Sequence, residues 1–139
     1  MIYAKDYLRQ VELLDARIRN KLIEQEQWKE MALGITASLG GERVQTSGSK
    51  QKMANAINKC VDMEAEIDEL IDELIDTKKK VIETIENLNS PTEYKILHMR
   101  YIQFIGLTGI SEKLDKDYSW VTTTHGRALK NVQMLLDKK

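Results

Sequence analysis

The chain has 139 residues, 42% hydrophobic and 31% charged, with one Pro, seven Gly and a formal charge of −1. So much charge beside so many apolar residues suits long helices that bury one stripe and solvate the rest. The scarcity of turn formers excludes a sandwich or barrel. The single cysteine, Cys60, excludes an intrachain disulfide, and no run approaches the roughly 18 uninterrupted apolar residues of a membrane span.

The first segment, from about Ala4 to Ile35, places Tyr7, Val11, Leu14, Ile18, Leu22, Trp28, Ala32 and Ile35 at steps of three and four, with one longer gap from Leu22 to Trp28. That period predicts an amphipathic helix. From Gly34 to Lys50 glycines and hydroxyl residues replace the pattern, which predicts a long loop over 34–50.

A heptad follows from Gln51 to Leu88. The seam runs Met53, Ile57, Cys60, Glu64, Ile67, Ile71, Leu74, Lys78, Val81, Ile85 and Leu88, apolar throughout save Glu64 and Lys78. A strict heptad implies supercoiling against a partner helix over roughly 55 Å. Cys60, lying on the seam, reads as a buried small hydrophobe rather than a reactive thiol. Lys78, Lys79 and Lys80 read as a solvated face. The partner is either the first helix, packed antiparallel, or a second copy. Because the second helix is the longer of the two, a homodimer through its seam is expected.

Asn89-Ser90-Pro91 ends that helix, with Ser90 as N-cap of the next, Pro91 at its first position and Glu93 completing a capping box. This gives two expected domains, a helical hairpin over 1–89 and a second domain over 90–139. The new helix runs to about Ile105 with Tyr94, Leu97, Tyr101 and Ile105 on one face, and Gly106 and Gly109 flank a break. A short helix, Leu107 to Leu114, turns Ile110 and Leu114 inward beside the small Ser111. Asp115-Lys116-Asp117 is a polar turn, and Asp117, or alternatively Ser119, caps the last helix. Val121, Thr124, His125, Ala128, Leu129, Val132 and Leu136 face its core. Two helices joined by a tight turn, with apolar anchors on both sides and a small residue at the crossing, have the spacing of a helix-turn-helix.

On that reading Tyr118, Ser119, Thr122 and Thr123 face outward, followed by Gly126, Arg127 and Lys130. Hydroxyls reach phosphates, base edges and the thymine methyl. A bland solvent face carries Glu and Lys instead, and Thr is a mediocre helix former. Arg127 reads as a phosphate clamp or the partner of an acid in 112–117. Trp120 is expected to pack over the turn and His125 to make a hydrogen bond at the core edge. Tyr101 is expected in a helix–helix contact. Residues 91–139 hold eight basic and five acidic side chains, while the remainder holds 13 basic and 17 acidic, a mild asymmetry that permits DNA contact at one end.

The run from Glu93 to Leu129 resembles the C-terminal helix-turn-helix of small Gram-positive phage regulators, the ArpU-like late-transcription-regulator group, similar in turn to region 4 of sigma-70 factors. Glu93-Tyr94, Arg100-Tyr101, Trp120-Val121 and His125-Gly126-Arg127-Ala128-Leu129 carry the resemblance. In the N-terminal half, Ala4-Lys5-Asp6-Tyr7-Leu8, Arg43-Val44-Gln45-Thr46-Ser47-Gly48-Ser49 and Lys52-Met53-Ala54 extend it to an uncharacterised branch of that group. The chain departs from the group's pattern at Lys116-Asp117, at Thr124 and across Phe104–Gly109.

The resemblance implies an all-α regulator of phage or prophage genes. Its partners would be double-stranded DNA and host RNA polymerase; the single cysteine, read apart from the resemblance, makes a reducing cytoplasm the expected location. Two alternatives are a packaging oligomer resembling small terminase subunits and a module that binds polymerase without DNA. The sequence pairs no nucleophile with a base and contains no phosphate-binding glycine loop or metal-ligand spacing, so no enzymatic activity, cofactor or metal is expected.

Overall fold

The structure, a computed structural model, describes residues 2–39 and 47–138. These residues form five α-helices: α1 Ala4–Leu39, α2 Ser47–Glu86, α3 Pro91–Leu97, α4 Leu107–Leu114 and α5 Tyr118–Asp137. A π-helical segment, His98–Ile102, extends α3. No strand occurs among the described residues, and none of their helices is long and apolar enough to cross a membrane. The fold is all-α.

The expected loop over 34–50 is shorter at both ends, because α1 continues to Leu39 and α2 begins at Ser47. Gly34 has open space around it and is followed by Ile, Ala and Leu, so one glycine does not stop the helix. Residues 40–46, including the Arg43–Thr46 stretch of the resemblance, lie outside the described residues.

Two compact units divide the chain, Met1–Asp15 with Leu74–Lys139, and Ala16–Glu73. In the second unit α1 and α2 run antiparallel. Lys21 Nζ meets Glu66 Oε2 at 2.9 Å, and further along α1 Gln25 Nε2 donates to the Cys60 carbonyl at 3.1 Å. Partners fall in number along α2 as they rise along α1. The buried positions correct the expected seams. On α1, Leu22 is exposed and the polar Gln25 is buried. On α2 the buried or half-buried positions are Met53, Ala56, Cys60, Met63, Ile67, Leu70, Leu74, Thr77, Val81, Ile82, Thr84 and Ile85, with Leu88 just past its end.

The heptad is therefore present, but every second seam position sits one residue earlier than expected, except near the end, where Thr84 and Ile85 are both buried. Glu64 and Lys78 cease to be exceptions, because Met63 and Thr77 occupy the seam. A buried glutamine tolerates this place because its donor is satisfied by Cys60, and one buried polar pair fixes register as apolar layers do not. Met63, Ile67 and Leu70 are buried within the single chain, so the seam expected to join two copies is already used.

The other unit gathers the start of α1, the end of α2 and everything after it. Ala4, Leu8, Val11, Val81, Ile85, Leu97, Tyr101, Ile102, Ala128 and Val132 form one core cluster. The expected division at residue 90 marks a helix boundary, while the packing runs across it. Ser90 caps α3 as expected, its Oγ accepting from the Glu93 N–H at 3.2 Å with Pro91 in the first turn. The other half of the capping box is replaced. The buried Glu93 carboxylate accepts from Asn131 Nδ2 at 2.7 Å and so ties α3 to α5.

The last turn of this helix widens, with the Gln103 N–H bonding the His98 carbonyl at 3.0 Å and the Ile105 N–H bonding the Met99 carbonyl at 2.9 Å. The chain then leaves through Phe104 at φ 60°, a left-handed value rare for a bulky residue. The helix thus ends at Ile102 rather than Ile105. Gly109, expected beside the break, lies inside α4, where a Cβ would come within 2.9 Å of Ile105 Cγ2.

Candidate nucleic-acid interface

The second core cluster sets the angle of α5. Ile96, Met99, Ile110 and Val121 are buried together, with Ile105, Leu107 and Leu114 packed around them. Ile110 of α4 and Val121 of α5 are the anchors that the spacing suggests. Between them Asp115 takes φ 53°, and the Lys116 N–H reaches back to the Ser111 carbonyl at 3.1 Å, a left-handed helix end normally given to glycine. The Ser111 hydroxyl donates to the Lys116 carbonyl, so Ser111 also locks the turn. Asp117 occupies the N-cap of α5 with extended backbone, as expected, but its side chain makes no cap hydrogen bond.

Tyr118, Ser119, Thr123, Arg127 and Lys130 are exposed, and Thr122 is half-buried. Ser119, Thr122, Thr123, Gly126 and Lys130 fall at i, i+3, i+4, i+7 and i+11, one continuous helical face, with Arg127 beside it and Tyr118 at its start. Thr122 Oγ1 donates to the Ser119 carbonyl at 3.0 Å. Arg127 makes no ion pair among the described residues, so the expected alternative of a bridge to the 112–117 acids is not formed.

Trp120 meets the turn through Lys116 and from the surface, not from the core. It is 37% exposed, and Lys116 Nζ stands 5.4 Å from its ring centroid. Its place, one residue before Val121, turns it toward the turn's lysine and away from the core. No spacing in the sequence signals this cation–π contact. Gly126 has nothing within 4 Å of where a Cβ would stand, so nothing in the fold requires a glycine there.

The opposite face holds α5 in place. Thr124 is buried on the core side, and its hydroxyl is satisfied by the Trp120 carbonyl at 2.8 Å. His125 Nε2 and the Tyr101 hydroxyl are 2.8 Å apart, with the rings stacked at 5.7 Å. Burial, then the positive charges of Arg100 and Lys5, hold the His125 imidazole below its ordinary value, and burial raises the Tyr101 phenol. Arg100 lies 5.3 Å from the Tyr101 centroid and pairs with Glu12 at 3.4 Å, so it serves the core edge. His125 and the buried Tyr101 behave as the sequence suggests.

Residues 36–134 match the model of a family described as a protein of unknown function, DUF1492. That span is most of the chain, and the chain belongs to this family. No curated protein and no solved structure matches it.

Proposed function

We propose that this chain is a DNA-binding regulator of transcription in phage or prophage genomes. In this reading α4, the turn 115–117 and α5 act as a helix-turn-helix, carried on a helical hairpin made by α1 and α2. The observation that supports it best is the outward face of α5. Ser119, Thr122, Thr123, Gly126, Arg127 and Lys130 lie outside the core while Val121, Thr124 and Ala128 anchor the same helix.

Small hydroxyl side chains and a bare glycine let a helix settle deep in a major groove, where the hydroxyls meet base edges and thymine methyls. Arg127 and Lys130, further along the helix, are placed for phosphates. The action is recruitment or occlusion, without chemistry.

A gel-shift series on fragments flanking the chain's own gene tests this. The double variant Thr122→Ala/Thr123→Ala should lose discrimination between fragments, and Arg127→Ala should weaken all of them alike. Absence of any retarded complex at low salt would contradict the proposal.

A further inference from the structure

In the Ala16–Glu73 unit a groove of about 440 Å³ runs between α1 and α2. Its floor is apolar and open, with Leu33 69%, Ile57 47% and Val61 60% exposed. Solvent-facing aliphatics gathered in one groove mark a contact surface. The groove's two charges identify the occupant. Lys29 lies on α1 and Glu64 on α2, both line the groove, and neither has an ion-pair partner among the described residues. The Gln25–Cys60 contact fixes their places. Lys29, one turn beyond Gln25, lies on the side of Cys60 toward the start of α2, and Glu64, one turn beyond Cys60, lies on the other. Opposite charges therefore stand on opposite helices at opposite ends of one apolar strip.

A two-fold axis through the middle of this strip, near Cys60 and Val61, carries Lys29 of one copy onto Glu64 of the other and the reverse. We infer that the groove is closed by a second copy of this chain, as an isologous dimer. The groove borders the buried seam at Gln25 and Cys60, and Ile57 and Glu64, which the heptad places on the seam, face this groove instead. The pairing deepens the DNA-binding reading, since two copies would present two recognition helices. The contact itself does not depend on DNA.

Sedimentation of the full chain without DNA, at low salt, tests the inference. Wild type should be dimeric. Lys29→Glu sets two carboxylates against each other at both ends of the strip, and Glu64→Lys sets two ammonium groups together in the same two places. Each exposed substitution should keep the helical circular dichroism and raise the dimer dissociation constant by about tenfold or more. An equimolar mixture of the two variants should recover the dimer, because each copy then faces the charge it lacks. A wild type monomeric at up to about 100 µM, single variants that pair as tightly as wild type, or a mixture that stays monomeric would each overturn the inference. A monomer would assign the groove to another molecule. The gel-shift series tests DNA binding separately from association.

Discussion

Gly126→Ala separates the demands of the fold from those of the proposed interface. Gly126 lies in the interior of the 20-residue α5, its φ is not positive, and a Cβ added there meets no atom within 4 Å. Glycine in such a place costs roughly 0.5–1 kcal/mol relative to alanine, through the freedom it loses on folding. With an unfolding entropy of about 2.1 cal/mol/K per residue, that gain raises the melting temperature by about 2–3 °C. If DNA backbone or base edges lie against this glycine, the new methyl must displace them and should weaken binding by about tenfold. Calorimetry and a gel-shift titration on one preparation read both quantities. A lowered melting temperature would refute the open space beside Gly126, and a raised one with unchanged DNA affinity would remove Gly126 from the interface.

Gly109→Ala should act with the opposite sign. Its Cβ meets Ile105 Cγ2 at 2.9 Å, a methyl on a branched carbon with little freedom, so overpacking of about 1–3 kcal/mol should exceed the helix-propensity gain. A urea midpoint that rises would show that the Ile105 methyl yields freely. Asp115→Gly relieves a left-handed residue at the end of α4 and should stabilise by up to about 1 kcal/mol; a lower midpoint would show that the Asp115 carboxylate itself supports the turn.

The pH dependence follows from His125, whose folded value lies below its ordinary one, 6.5. In the unfolded chain it binds a proton as pH drops below that value, while the buried ring beside Tyr101 resists. Stability from neutral His125 is thus complete above the unfolded value and is lost as pH falls through it toward the folded one. Between about pH 7 and pH 5.5 wild type should lose more stability than His125→Gln. Equal losses would place the titration elsewhere.

The helix period, the Ser90-Pro91 boundary, the extent of α4 and the buried face of α5 were legible because each depends on local spacing or capping. The seam of α2 was only half legible. Ile57 and Ile71 fit a heptad as well as Ala56 and Leu70 do, and only the neighbouring helix decides which set is buried. Glu93 reads as a local cap because its partner, Asn131, is distant in sequence. Trp120 reads as a packed residue because a large aromatic beside Val121 usually is one, but that place on α5 meets the Lys116 ammonium. Of the site, the outward face from Tyr118 to Lys130 was readable from residue type and period. The openness around Gly126 was not, since it depends on what surrounds a missing Cβ.

The most direct test of the central proposal is a photoreactive side chain at Thr123, with Ile75, exposed on α2, as the control position. Irradiation with a duplex from the region flanking the gene should yield a protein–DNA adduct from position 123 and none from 75. Adducts to protein alone, or equal DNA adducts from both positions, would contradict DNA recognition by this face of α5.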